Sequence, residues 1–320
     1  MHYSVRHRSL FTYSDPVRES VMELRMQPRS DGQQMLRNFQ IITAPRSVLH
    51  AYTDHLGNAV YHFNVLKAHS GLNIEVQAAV DMSEFPALPN ELDELEWDRF
   101  NGFNLRDEHY DFLEPSKFAC PSAELIEFCD RMQLSKPQGD PLTALLQLNA
   151  LIYGAFDYEL GVTQVHSPIT HALKARRGVC QDFAHIMIAI ARHWKIPARY
   201  VSGYLFHRDT AKDRSAQDAS HAWMEAWLPS LGWIGFDPTN NILARERHIR
   251  VAIGRDYADV PPTRGTFKGD AATELSIAVG VHLTPTPVRH EEFLRVTSPM
   301  KPSPPRPPAA DLIAQQQQQQ

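Results

Sequence analysis

Residues 178–240 constrain this chain more than any other stretch, because they read as a buried helix followed by an antiparallel pair of strands. After Cys180, apolar side chains recur at Phe183, Ile186, Met187, Ile190 and Trp194, the spacing that lines one face of a helix. Pro197 has no amide hydrogen with which to continue that helix, so the pair Ile196-Pro197 stops it. A strand pattern over 200–206 and a polar loop come next. His221, Trp223, Glu225 and Trp227 then alternate with small or apolar residues, as a strand requires. A turn at 229–232 reverses the chain into 233–237, which ends at Asp237-Pro238.

The position of Cys180 has chemical consequences. It follows Gly178-Val179 and falls in the first turn of the helix, where unpaired amides and the positive end of the helix dipole favour a thiolate. The same amides can bind the oxyanion of a tetrahedral intermediate, and Arg176 and Arg177 add positive charge nearby. By itself Cys180 reads equally well as an inert buried thiol. The downstream residues shift that balance. His221 begins one strand and Asp237 ends the next, so an antiparallel hairpin makes them neighbours. A cysteine nucleophile needs a base within reach and a third group to orient that base. With 16 histidines in the chain, one histidine alone means little, and Asp237 before a proline also suits a simple turn. His185 and His193, on the cysteine helix itself, read as structural.

The chain has 320 residues, enough for two domains. Residues 1–82 hold six strand-like runs, at 1–7, 20–26, 36–43, 48–53, 59–66 and 72–80, separated by turn residues such as Ser30-Asp31-Gly32 and Gly57-Asn58. They predict an all-β, sandwich-like module that scaffolds or positions substrate. Residues 83–139 form a connecting segment, partly helical, with a helical pattern at 121–133. A second helix, at 140–156, opens on Asp140-Pro141, a capping residue followed by a proline suited to the first turn. Residues 298–320 are rich in proline and glutamine and are expected to be disordered. A net charge of −5 offers no footprint for nucleic acid. Three cysteines are too few for a secreted disulfide framework, so Cys120 and Cys129 read as buried thiols. The first ten residues lack an apolar signal region, and no run of about 18 apolar residues suggests a membrane span. A cytoplasmic protein is expected. No glycine-rich phosphate loop, HExxH motif, paired CxxC or acidic calcium loop occurs, so neither metal nor cofactor is expected.

The blocks Gly178-Val179-Cys180-Gln181-Asp182-Phe183-Ala184-His185, Ser202-Gly203-Tyr204, Ser220-His221-Ala222-Trp223 and Gly232-Trp233-Ile234-Gly235-Phe236-Asp237-Pro238-Thr239-Asn240 resemble the transglutaminase-like superfamily. The resemblance is greatest to its bacterial members, which are often described as cysteine proteases. It extends to the β-rich beginning and to the block from Val251 to Pro262, which reads as a buttress even though Arg255 and Asp256 can reach a substrate. The fold implied is α+β: residues 140–297 hold a papain-like core, matched over roughly 140–241, and the segment that follows it, with the cysteine helix against an antiparallel sheet. The roles implied are Cys180 as nucleophile, His221 as base and Asp237 as orienter. Tyr158, Val179, Trp223 and Tyr204 are the candidates for oxyanion or substrate binding. A peptide or protein substrate and a thioester intermediate are implied. Hydrolysis is the favoured outcome, with amine transfer or a non-catalytic binding role as alternatives. An Asp237→Asn exchange is expected to slow the reaction with little effect on stability.

Overall fold

The computed structural model describes residues 1–286 apart from 94, 101–106, 136, 138 and 209, so the tail expected at 298–320 lies outside the described residues. Strands β1 (His2–Val17), β2 (Glu19–Leu24), β3 (Gln34–Ala44), β4 (His50–Thr53), β5 (Ala59–Val65) and β6 (His69–Met82) occupy the region read as all-β. Helices α1 (Ala123–Arg131) and α2 (Pro141–Ala155) follow, then the short strand β7 (Asp157–Tyr158), α3 (Ile169–Ala175), the short strand β8 (Arg177–Gly178) and the cysteine helix α4 (Cys180–His193). Asp140 caps α2, its carboxylate accepting the amides of Leu142 and Thr143 at 2.9 and 3.2 Å. Strands β9 (Ala198–Leu205), β10 (His221–Leu228), β11 (Gly232–Asp237), β12 (Ile242–Ala244), β13 (His248–Gly254), β14 (Thr263–Lys268) and β15 (Thr273–Thr284) come after α4. This is the α+β architecture that the sequence implied.

The core sheet is antiparallel in the order β12-β11-β10-β9-β13, and α4 packs against β9 and β10. The apolar face of α4, with Phe183, Ile186, Met187 and Ile190, is buried with Met224, Ala226 and Phe236 of the sheet. The amino-terminal strands form two further antiparallel sheets, in the orders β15-β1-β6-β3 and β14-β2-β5-β4. Each takes its outer member from the far end of the sequence. Residues 263–284 therefore complete the β module instead of extending the sheet that packs on α4. The reason is edge pairing: β14 and β15 satisfy the open backbone groups of β2 and β1 along their length.

Strands β1 and β6 serve two cores. Their far halves, with Tyr13, Val17, Leu72, Ile74 and Val76, fill the sandwich together with Met22, Leu24 and Phe63. Their near halves, with Tyr3, Val5, Ala78, Val80 and Met82, join the core that surrounds α4. Two amide side chains fasten the same contact at β13, the sheet's edge. Gln34 accepts the Arg250 amide and donates to the Arg250 carbonyl, both at 2.8 Å. Asn58 does the same with Ile253, again at 2.8 Å in each direction. Beside them Arg250 pairs with Asp31 at 2.7 Å. Cys120, Cys129 and Cys180 are all unpaired thiols. Among the described residues no helix is long and apolar enough to cross a membrane.

Candidate active site

The start of α4 is built before its chemistry. Strands β7 and β8 run parallel, setting Tyr158 opposite Gly178. Val179 is extended, and its amide donates to Asp182 Oδ2 at 2.9 Å. The Thr163 hydroxyl donates to that same oxygen at 2.6 Å. A β-carbon at residue 178 would lie 2.6 Å from this oxygen, so the tight entry to the helix requires glycine. Burial raises the Asp182 carboxyl to about 6, against the lowering effect of those two hydrogen bonds. Cys180 thus occupies the first helical position, buried but with 6 % of its surface exposed. The amides of Cys180, Gln181 and Asp182 have no partner within the helix.

His221 and Asp237 meet the thiol from the sheet. His221 Nε2 lies 2.8 Å from Asp237 Oδ2, both side chains being buried. A carboxylate only accepts, so Nε2 carries the hydrogen and Nδ1 is the nitrogen left to the thiol. Nδ1 indeed makes no hydrogen bond of its own. Burial opposes a charge on this imidazole, but Asp237, and then the adjoining Cys180, raise its pKa to about 10. Asp237 is held ionised in turn. Burial pushes its carboxyl up, yet His221 and His248 bring it far below the usual carboxylate range. Five donors converge on it: His221, His248 and Asn240 Nδ2 on Oδ2, the amides of Thr239 and Asn240 on Oδ1.

Residues 131–238 match the transglutaminase-like superfamily, and residues 3–81 match the bacterial transglutaminase-like N-terminal region. An uncharacterized protein of Mycobacterium leprae is 32% identical over 278 residues, covering 87% of this chain and 97% of its own. The chain belongs to the transglutaminase-like superfamily. The crystal structure of a proposed cysteine protease of Cytophaga hutchinsonii shares the fold, with a TM-score of 0.66 at 20% identity over 91% of this chain and 94% of that one. A protein-glutamine gamma-glutamyltransferase of Pseudomonas aeruginosa is 31% identical over 102 residues, 29% of this chain and 15% of that enzyme.

Around this superfamily core the other predicted residues fall in different places. Tyr158 faces the site. Burial, and then the neighbouring Cys180, push its phenol well above the ordinary value, against a lowering effect of the Ala216 backbone. Val179 is corrected as an oxyanion donor, because its amide is taken by Asp182. Tyr204 is corrected too: its hydroxyl lies 3.1 Å from His7 Nδ1, tying the core sheet to β1. Trp223 is fully buried and lies beside the rings of His221 and His248, with centroids at 6.1 and 5.1 Å, so it supports the imidazole from behind. Arg176 lies over the Phe128 and Phe156 rings, and Arg177 pairs with Glu159, so neither charge is aimed at the thiol. His185 stacks on Phe118 and accepts the Tyr257 amide, a structural role as read. The segment after the core is a buttress: Asp256 accepts the amides of Phe118 and Ala258, and Arg255 pairs with Asp259.

Two neighbours of Asp237 escaped the sequence reading. Asn240 appears there only as the end of a turn, and His248 as one of 16 histidines with no local signature. His221 Nε2, Asp237 Oδ2 and His248 Nε2 lie within 4.8 Å of one another, a donor set that can hold a metal ion. Here Asp237 Oδ2 accepts from both imidazoles and from Asn240 Nδ2, so hydrogen bonds join the three groups. A cavity of about 400 Å³ lies between the β module and the core, lined by residues such as Tyr13, Arg264 and His166; none of the three candidate catalytic residues lines it.

Proposed function

We propose that the protein is a cysteine-dependent acyl-transfer enzyme acting on peptide or isopeptide-like amides through a thioester, with water as acceptor. The observation that carries this reading is the buried, charge-favouring His221–Asp237 pair beside a thiol at a helix start. With the thiol proton held on His221 Nδ1, Cys180 Sγ attacks the amide carbonyl as the thiolate of an imidazolium–thiolate pair. The negative oxygen that forms faces the free first-turn amides and the Tyr158 hydroxyl. His221 then protonates the departing amine as the carbon–nitrogen bond breaks and the thioester remains. Water enters, loses a proton to His221 and attacks the thioester, which releases a carboxylic acid and restores the thiol. Asp237 keeps the imidazole in the orientation both steps need.

The match to the Pseudomonas transferase favours an amine as the alternative acceptor of the same thioester. Three unpaired thiols support a reducing, cytoplasmic setting. To test the reading, wild type and Cys180→Ala are incubated with a peptide library, with and without a primary amine. New carboxyl termini in the wild type alone support hydrolysis, and amine adducts support transfer. Product from Cys180→Ala, or no product and no rapid iodoacetamide labelling of wild-type Cys180, refutes the thiol mechanism.

A further inference from the structure

His248 lies outside the Cys180–His221–Asp237 set, yet its side chain is aimed at the centre of it. It begins β13, is only 3 % exposed, and brings Nε2 within 3.1 Å of Asp237 Oδ2. We propose that His248 is a positioning residue for the reaction, a neutral imidazole whose Nε2–H holds the Asp237 carboxylate in line with His221. The inference rests on the Cys180 reading above and adds a fourth side chain to it.

The tautomer follows from the partners. Asp237 only accepts, so His248 Nε2 bears the hydrogen and Nδ1 is bare. Nδ1 is buried and has no hydrogen-bond partner, as a bare nitrogen enclosed beside an indole would be. The Trp223 ring meets the imidazole edge-on, with centroids 5.1 Å apart and planes at 74°. Burial lowers the His248 pKa; Asp237 opposes it, while His221 and Arg247 act with burial. Those groups belong to Asp237 of β11, His221 of β10 and Arg247 just ahead of β13. Two imidazoles therefore share one carboxylate oxygen, and the one beside the thiol takes the charge. His248 then acts through hydrogen bonding alone. It fixes the oxygen that His221 must find, together with Asn240 Nδ2 at 2.8 Å.

A side chain that merely filled space beside Trp223 would be replaceable by any ring of similar size. His248→Phe keeps the ring and removes the donor; His248→Gln keeps an N–H near the position of Nε2; His248→Leu is a second variant without the donor. The readout is the rate at which iodoacetamide alkylates the Cys180 peptide from acid to alkaline pH, with thermal melting alongside. Loss of one hydrogen bond to a buried carboxylate slows alkylation at neutral pH by roughly 10- to 100-fold. The low-pH limb moves upward in the Phe and Leu variants, because a less well held Asp237 stabilises the imidazolium–thiolate pair less. His248→Gln is expected to retain the wild-type profile. A wild-type rate and limb in His248→Phe, or equal losses in all three variants that track melting, overturns the proposal. Failure of the underlying reading looks different: wild-type Cys180 would alkylate no faster than Cys120.

Discussion

Replacing Asp237 by asparagine tests the architecture of the site more severely than removing the thiol does. The exchange is nearly isosteric, so its cost comes from hydrogen bonding. Oδ1 accepts two backbone amides, at 3.0 and 3.2 Å, and Oδ2 accepts donors from His221, His248 and Asn240. An asparagine side chain has one oxygen. With that oxygen facing the histidines, its NH2 group confronts the Thr239 and Asn240 amides, and turned the other way it confronts three donors. At least two buried donors are then left without partners, at about 1–3 kcal/mol each, or about 2–6 kcal/mol together. The sequence alone suggested little effect on stability; the two amides on Oδ1 are why the structure predicts otherwise. The imidazole suffers as well, since Asp237 is the main group raising its pKa. In serine-protease triads the same exchange lowers turnover by about 10⁴-fold. A thermal melt and the Cys180 alkylation rate, measured on one preparation, check both effects. An Asp237→Asn protein with wild-type melting and wild-type alkylation would refute the assigned hydrogen-bond geometry.

The pH dependence of stability should carry the mark of His221. Its folded value, about 10, lies above the ordinary histidine value of 6.5, so the imidazolium stabilises the fold fully below pH 6.5 and that contribution is lost as pH rises toward 10. Melting temperature should fall across this window in the wild type and much less in His221→Gln; equal slopes would contradict the charge pairing. Asp182→Ala should cost about 2–6 kcal/mol, since the Val179 amide and the Thr163 hydroxyl both lose their acceptor, while Asp182→Asn keeps an oxygen there and costs less. Denaturant melts of the two variants decide it, and equal losses would argue against the cap. Gly203→Ala should be destabilising by about 1–3 kcal/mol. Its β-carbon would stand 2.2 Å from the Ile249 carbonyl and 2.6 Å from the Trp223 ring, directly across from His221. Unchanged melting would refute that close approach.

Much of this site was legible because it is local. Cys180 closely follows a glycine at a helix start, and His221 and Asp237 sit at the open ends of a hairpin, all short-range patterns with period and turn chemistry to betray them. The Tyr158 neighbourhood was legible for a similar reason, being the strand beside the one that leads into Cys180. His248 left no trace because β13 reaches the site across β9, from the opposite edge of the sheet from β11. Nothing in its own surroundings distinguishes it from the other histidines. Tyr204 was misplaced because its strand is buried along its length, so alternation gives no face. The pairing of β14 and β15 with the β module left no trace for a related reason: contacts between residues as far apart as His2 and Thr284 are written in neither strand alone. Val179 was misread because only the folded Asp182 carboxylate shows which amide is already taken.

That last pairing has a consequence for synthesis. His2 finds its partner in Thr284, at the far end of the described chain. When residue 262 leaves the ribosome, Cys180, His221, Asp237 and His248 have all been made, but β1 and β2 still lack their outer neighbours. At about 5–20 residues per second the missing strands follow within roughly 1–5 seconds. During that interval a nascent chain carries every group of the proposed chemistry while β1, which feeds Tyr3 and Val5 into the core around α4, is paired on one side only. Completion of the thiol's surroundings is thereby tied to translation reaching β15, and a chain cut short before β14 would hold the candidate residues in an unfinished frame.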